Sequence, residues 1–178
     1  MKARTYAVFA ILAGLSAAGG IAYHLGSAGG GAGTDAAKEV VERVLAAPLA
    51  DVKGGASSVG HWRGRVLVVN YWATWCAPCR EEIPIFVRLQ ERYGDRGLQF
   101  VGIAIDQPAK VSEFAAEFRV NYPLLIAGVE SLELLRQAGN RAGVLPYTLI
   151  IDRKGNLVSR EPGGLKEARL ESLIQPLL

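Results

Sequence analysis

The chain's only two cysteines, Cys76 and Cys79, stand three positions apart, and that spacing limits what they can do. On a helix, positions i and i+3 share a face with Cβ atoms about 5–6 Å apart, within reach of a disulfide. A purely structural staple makes little use of such a pair. Closing a four-residue loop is worth only about 2 kcal/mol, against roughly 4–5 for a long one. A zinc site as a rule needs four ligands, and His24 and His61 are the only histidines that could complete one. Two inert buried thiols are a third alternative. Reversible dithiol–disulfide chemistry is the reading that uses both the spacing and the surroundings.

Those surroundings are a strand, a turn and the start of a helix. Val66-Leu67-Val68-Val69-Asn70-Tyr71 is an apolar, largely β-branched run, and Cys76 follows it where a helix begins. Free N–H groups and the positive end of the helix dipole favour a thiolate at that place. Cys79, one turn further in, is expected to be the less accessible sulfur. Pro78 suits a first turn, where a missing N–H costs nothing. Ala77-Pro78 between the cysteines carries no charge, which points towards a reductant, since a cation would favour the reduced thiolate and make an oxidant. Arg80 nearby pulls the other way.

The stretch Trp72-Ala73-Thr74-Trp75-Cys76-Ala77-Pro78-Cys79-Arg80, continued through Glu82 and Pro84, resembles the active-site signature of the thioredoxin superfamily. More narrowly, it is similar to the extracytoplasmic TlpA/ResA-like thiol–disulfide oxidoreductases. Trp62-Arg63-Gly64-Arg65 and Leu145-Pro146-Tyr147-Thr148 match at the expected places, so the resemblance runs from about Pro48 to the C-terminus. It implies an α/β thioredoxin-like fold of three layers: a mixed sheet with helices on both faces, an extra strand–helix insertion and an N-terminal hairpin. It also implies a cis peptide before Pro146, facing the cysteines and offering backbone groups to a substrate. Leu145, Pro146 and Trp75 are the substrate-binding candidates, with Trp75 on the rim that meets the partner. Asn70 departs from ordinary thioredoxin, which has a buried aspartate there to handle the second cysteine's proton. The TlpA/ResA-like pattern has instead a glutamate three residues after that cysteine, which is Glu82. Glu82 is therefore the third catalytic candidate after Cys76 and Cys79. One helical turn beyond Cys79, it is placed to act as a base, and burial would raise its pKa. Glu81 points elsewhere.

The resemblance further implies protein disulfide clients, such as apocytochrome c or a copper-centre assembly protein, and an integral-membrane thiol electron donor. It implies no cofactor and no metal. A peroxiredoxin-like peroxidase is one rival, but its threonine/serine-containing motif with an upstream proline is missing before Cys76. A copper-delivery protein is another, and such proteins usually want a histidine late in the domain. None follows His61.

The flanking elements read in order. Thr34 or Asp35 is positioned to cap a helix from Ala36 to Ala46, and Leu49 to Val52 with Ala56 to Val59 suggests a hairpin. Trp62 reads as a packing residue and His61 as a solvated one. After the redox helix, Cys76 to Tyr93, a strand from Leu98 to Asp106 completes a parallel βαβ unit. Pro108 opens a helix with Val111, Phe114, Ala115 and Phe118 on one face. Leu124 to Ala127 is a short strand, Ser131 to Ala138 a short helix, and Tyr147 to Asp152 with Leu157 to Glu161 a second hairpin. A last helix starts near Lys166.

With 178 residues, the chain suits one domain, 36–178, plus an appendage. Lys2 and Arg4 precede an uncharged stretch from Tyr6 to Tyr23, so 1–25 reads as a membrane anchor or a signal segment, and 26–35 as a glycine-rich linker. The basic start would keep the N-terminus inside and place the domain in the periplasm or otherwise outside the cytoplasm. Two of the 20 basic residues lie before Gly33 and all 17 acidic ones after it, leaving the chain beyond Gly33 at +1. Nothing in that balance supports nucleic-acid binding. Fractionation with N-terminal sequencing checks the appendage: a membrane-bound protein with residues 1–25 intact is expected, and a soluble protein beginning near Gly19 would mean cleavage.

Overall fold

The computed structural model describes residues 31–128 and 130–178, so the segment 1–25 and the first half of the linker lie outside the described residues. Among those described, no helix is long and apolar enough to cross a membrane.

The element order is α1 (Gly31–Ala46), β1 (Leu49–Asp51), β2 (Ala56–Ser57), β3 (Val66–Trp72), α2 (Ala77–Tyr93), β4 (Leu98–Ala104), α3 (Pro108–Glu117), β5 (Leu124–Ile126), α4 (Glu130–Gln137), β6 (Tyr147–Ile151), β7 (Leu157–Pro162) and α5 (Glu167–Ile174). The seven strands form one mixed sheet in the order β2-β1-β5-β4-β3-β6-β7. β3 lies parallel to β4 and antiparallel to β6, and β4 is parallel to β5. This is the thioredoxin-like α/β arrangement, with five helices among the described residues and an N-terminal hairpin of β1 and β2.

Three boundaries differ from expectation by more than one residue. β2 ends at Ser57 rather than Val59, which opens a short 3-10 turn instead. α1 begins at Gly31, five residues ahead of the expected start, and includes Gly33. Each interior glycine costs about 1 kcal/mol relative to alanine, yet extending an existing helix adds one hydrogen bond per residue, so the glycines do not stop it. β4 ends at Ala104 rather than Asp106, because its ladders with β3 and β5 both run out there, at Trp72 and Ile126.

β3 is the strand that aims the site. Every residue in it is buried, as a central strand with both faces covered requires. Alternation sends Leu67, Val69 and Tyr71 to the core beneath α1 and α4, and Val66, Val68 and Trp72 to the core beneath α2, α3 and α5. Asn70 falls between Val68 and Trp72 and so faces α2. On that helix the buried residues are Cys79, Glu82, Ile83, Phe86, Leu89 and Tyr93. The stripe has helical spacing and is apolar except at Glu82, a carboxyl group set in a core position.

Aromatic packing secures the α2 side of the sheet. Phe100 stacks on Phe86 with ring centroids 4.9 Å apart and lies 5.7 Å from Tyr122. Gly102 on β4 has room for nothing larger: a Cβ there would lie 2.6 Å from Leu124 Cδ2 and 3.0 Å from Trp72 Nε1. Gly102→Ala is therefore expected to destabilise the domain by about 1–3 kcal/mol through overpacking. Urea unfolding followed by tryptophan fluorescence measures it, and an unchanged midpoint would contradict this packing.

Candidate active site

Cys76 is the N-cap of α2 and lies in extended backbone. It is joined to Cys79 by a disulfide, with the two Cα atoms 5.3 Å apart. The Cys79 N–H donates to Cys76 Sγ at 3.4 Å, so one free N–H group of the helix start is directed at the outer sulfur. A thiolate at that position is stabilised by this N–H and by the helix dipole. Cys76 keeps 6% of its surface exposed and Cys79 none. The inner sulfur has no water to support a charge.

One turn further along α2, Glu82 is 1% exposed. Its carboxylate oxygens accept from Asn70 Nδ2 at 2.8 Å and from the Leu165 N–H at 2.9 Å. Asn70 Nδ2 also donates to Thr148 Oγ1 at 3.0 Å. Burial pushes the Glu82 pKa up to about 7, and the two hydrogen bonds, which favour the charged form, offset only part of that rise. The buried Tyr122 hydroxyl is pushed well above its usual range by burial and by the nearby Glu82 charge, so it stays protonated. Glu81, by contrast, is exposed.

The Leu145–Pro146 peptide is cis. Pro146 is buried, and its carbonyl accepts from the Gly163 N–H at 2.9 Å. Leu145, half-buried, and Trp75, 69% exposed and the residue before Cys76, line one small cleft. Because Tyr147 pairs with Tyr71, Leu145 and Pro146 come to the same end of the sheet as Trp75, Cys76 and Cys79, with Glu82 one turn further along α2.

The Redoxin family pattern matches residues 32–174. The chain belongs to the Redoxin family. The thiol–disulfide oxidoreductase ResA of Geobacillus kaustophilus is 28% identical over 72% of this chain and 72% of its own length. Among solved structures, the thiol:disulfide interchange protein of Chlorobium tepidum superposes with a TM-score of 0.65 and 30% identity, covering 74% of this chain and 94% of that one. A secreted Mycobacterium tuberculosis disulfide oxidoreductase homologous to Escherichia coli DsbE shares the fold, with a TM-score of 0.64 and 17% identity. The chain is a thiol–disulfide oxidoreductase of the ResA type with a CxxC redox pair.

Within this Redoxin site several supports escaped the sequence reading. Asp106 Oδ2 accepts from the Thr74 N–H at 3.0 Å and from Thr74 Oγ1 at 2.5 Å, tying the loop before Cys76 to the end of β4. Burial of Asp106 opposes its charge, but the hydrogen bonds from Thr74 and Gln107 prevail and hold its carboxyl below the usual range. The Arg80 guanidinium lies 5.1 and 5.2 Å from the ring centroids of Phe114 and Phe118. Only Thr148 left a trace in the sequence, as the one polar residue of an apolar strand whose register places it opposite Asn70.

The raised Glu82 pKa has a consequence for stability in the disulfide form. The folded value, about 7, lies above the model-compound 4.5, so folding binds this proton more tightly. That contribution is complete below pH 4.5 and is lost as the pH rises through 7. Relative to Glu82→Gln, the oxidised wild type is expected to lose roughly 3 kcal/mol of stability across this window. Urea unfolding at successive pH values measures it, and parallel profiles for the two proteins would contradict the buried carboxyl.

Proposed function

We propose that this oxidoreductase reduces protein disulfides outside the cytoplasm, held at the membrane by residues 1–25. The observation that supports it most is Glu82, a buried carboxyl with a pKa near 7 one turn beyond a fully buried cysteine. In this reading the reduced enzyme presents Cys76 as a thiolate. Cys76 Sγ attacks one sulfur of the client disulfide, forming a mixed disulfide and releasing the other client sulfur as a thiolate. Cys79 Sγ then attacks Cys76 Sγ, which re-forms the enzyme disulfide and frees the client as a dithiol. The second step needs the Cys79 proton removed, and Glu82 receives it. An integral-membrane thiol carrier returns the two electrons. Apocytochrome c thiols or a copper-centre assembly protein are the clients this reading favours.

The reducing direction is supported by Arg80. Its guanidinium is committed to the rings of Phe114 and Phe118, and its Nη1 lies 3.5 Å from the Thr74 carbonyl. The uncharged Ala77-Pro78 pair is what separates the sulfurs, and no cation between them favours the thiolate form. Trp75, Leu145 and Pro146 form the platform on which the client segment lies in this reading.

Two sets of variants test it. Cys79→Ser is expected to accumulate client proteins linked through Cys76, whereas Cys76→Ser accumulates none. Glu82→Gln is expected to slow resolution by about a hundredfold near neutral pH, the scale of general-base assistance, while Glu81→Gln changes little. Stopped-flow tryptophan fluorescence across pH reads both rates. Equal, small effects from the two substitutions would overturn the role of Glu82, and trapping through Cys79 would reverse the roles of the cysteines.

A further inference from the structure

The surface beside the disulfide is more specific than a general platform. The cleft shared by Trp75 and Leu145 is completed by Ile105, Leu132 and Leu135 and holds about 180 Å³. That is below the roughly 300 Å³ at which small-molecule pockets begin, and it suits a single apolar side chain of a polypeptide. Trp75, Leu132 and Val144 are three of the four exposed large apolar side chains among the described residues. Trp75 and Leu132 stand in the cleft, and Val144 stands one residue from its Leu145 wall. An apolar surface gathered in this way marks a contact site.

Charge on the same side is predominantly positive. Two shallower depressions share Arg136 or Asn140 with the cleft and carry Arg141 and Arg160. Glu133 is the one acidic residue that lines any of the three among the described residues. Its pairing with Arg136 spans 3.7 Å with both side chains largely exposed, so it neutralises little. Arg160 Nε donates to the Ala138 carbonyl, which anchors the guanidinium of a residue that is otherwise exposed. Three arginines against one glutamate is a local concentration in a chain whose net charge beyond Gly33 is only +1.

We infer that this surface selects acidic, apolar client segments. The client cysteine meets Cys76, an apolar neighbour seats between Trp75 and Leu145, and acidic residues lie over Arg136, Arg141 and Arg160. The inference rests on the disulfide-reductase reading above and names the substrate class for it.

Peptides with one cysteine, disulfide-linked to 2-mercaptoethanol, test it with the reduced full-length protein. One carries leucine and aspartates around the cysteine, a second leucine and lysines, a third alanine and aspartates. Rates are expressed relative to the same protein's rate with neutral hydroxyethyl disulfide. The leucine–aspartate peptide is expected to react about tenfold faster than the leucine–lysine one at low salt, the ratio falling towards one as salt rises. The alanine–aspartate peptide should react severalfold more slowly than its leucine counterpart. In the Arg136→Glu/Arg141→Glu protein the charge preference should vanish or reverse. Equal peptide rates, or a preference indifferent to salt, would overturn the inference while leaving the reductase reading intact. No reduction of hydroxyethyl disulfide would overturn that reading, and this inference with it.

Discussion

A carboxyl group with almost no access to water sits one helical turn below the disulfide, and the rest of the site is built to hold it there. Glu82 occupies a position in the α2 stripe that packing alone would give to leucine. Burying it ionised and alone would cost several kcal/mol. The fold meets that cost in part with Asn70 from the central strand and the Leu165 N–H from the loop after β7. The support is incomplete. It leaves the group near pH 7, able both to take and to give a proton, where a fully supported carboxylate would be permanently charged.

The two cysteines gain their different characters from the same helix. Cys76 lies before the first turn, where N–H groups are free and some solvent remains; Cys79 lies inside it, under the core. The loop leading to Cys76 is held by Asp106 through Thr74, and Arg80 is drawn onto the α3 aromatics. Gly164 lies against Pro78, with Pro78 Cβ 3.6 Å from where a Gly164 Cβ would stand, so the loop that supplies the Leu165 N–H also packs on the helix start. Sulfur and carboxyl are thereby fixed by a shared set of elements, and neither can shift without disturbing the other's support.

Local chemistry was legible in the sequence, and long-range pairing was not. The β-branched run of β3, the Ala77-Pro78 helix start and the βαβ unit followed from propensity and spacing. Asn70 stood out as a departure and Glu82 as a candidate, but twelve residues of separation concealed that one hydrogen-bonds the other. The Leu165 N–H lies 83 residues from its acceptor and carries no side-chain signature at all. α1 starts ahead of Ala36 because helix extension is cooperative, whereas glycine propensity is a local signal. The arginines beside the cleft were invisible as a group, since Arg136 and Arg141 flank a helix end and Arg160 comes from β7.

The most direct measurement is the carboxyl-carbon titration of Glu82 by nuclear magnetic resonance, with glutamate labelled at the side-chain carboxyl and Glu82→Gln used to assign the signal. In the oxidised protein, where neither cysteine titrates, the midpoint is expected near 7, and in the reduced protein the curve should become coupled to the Cys79 thiol. A single midpoint near the ordinary 4.5 in both redox states would contradict the account.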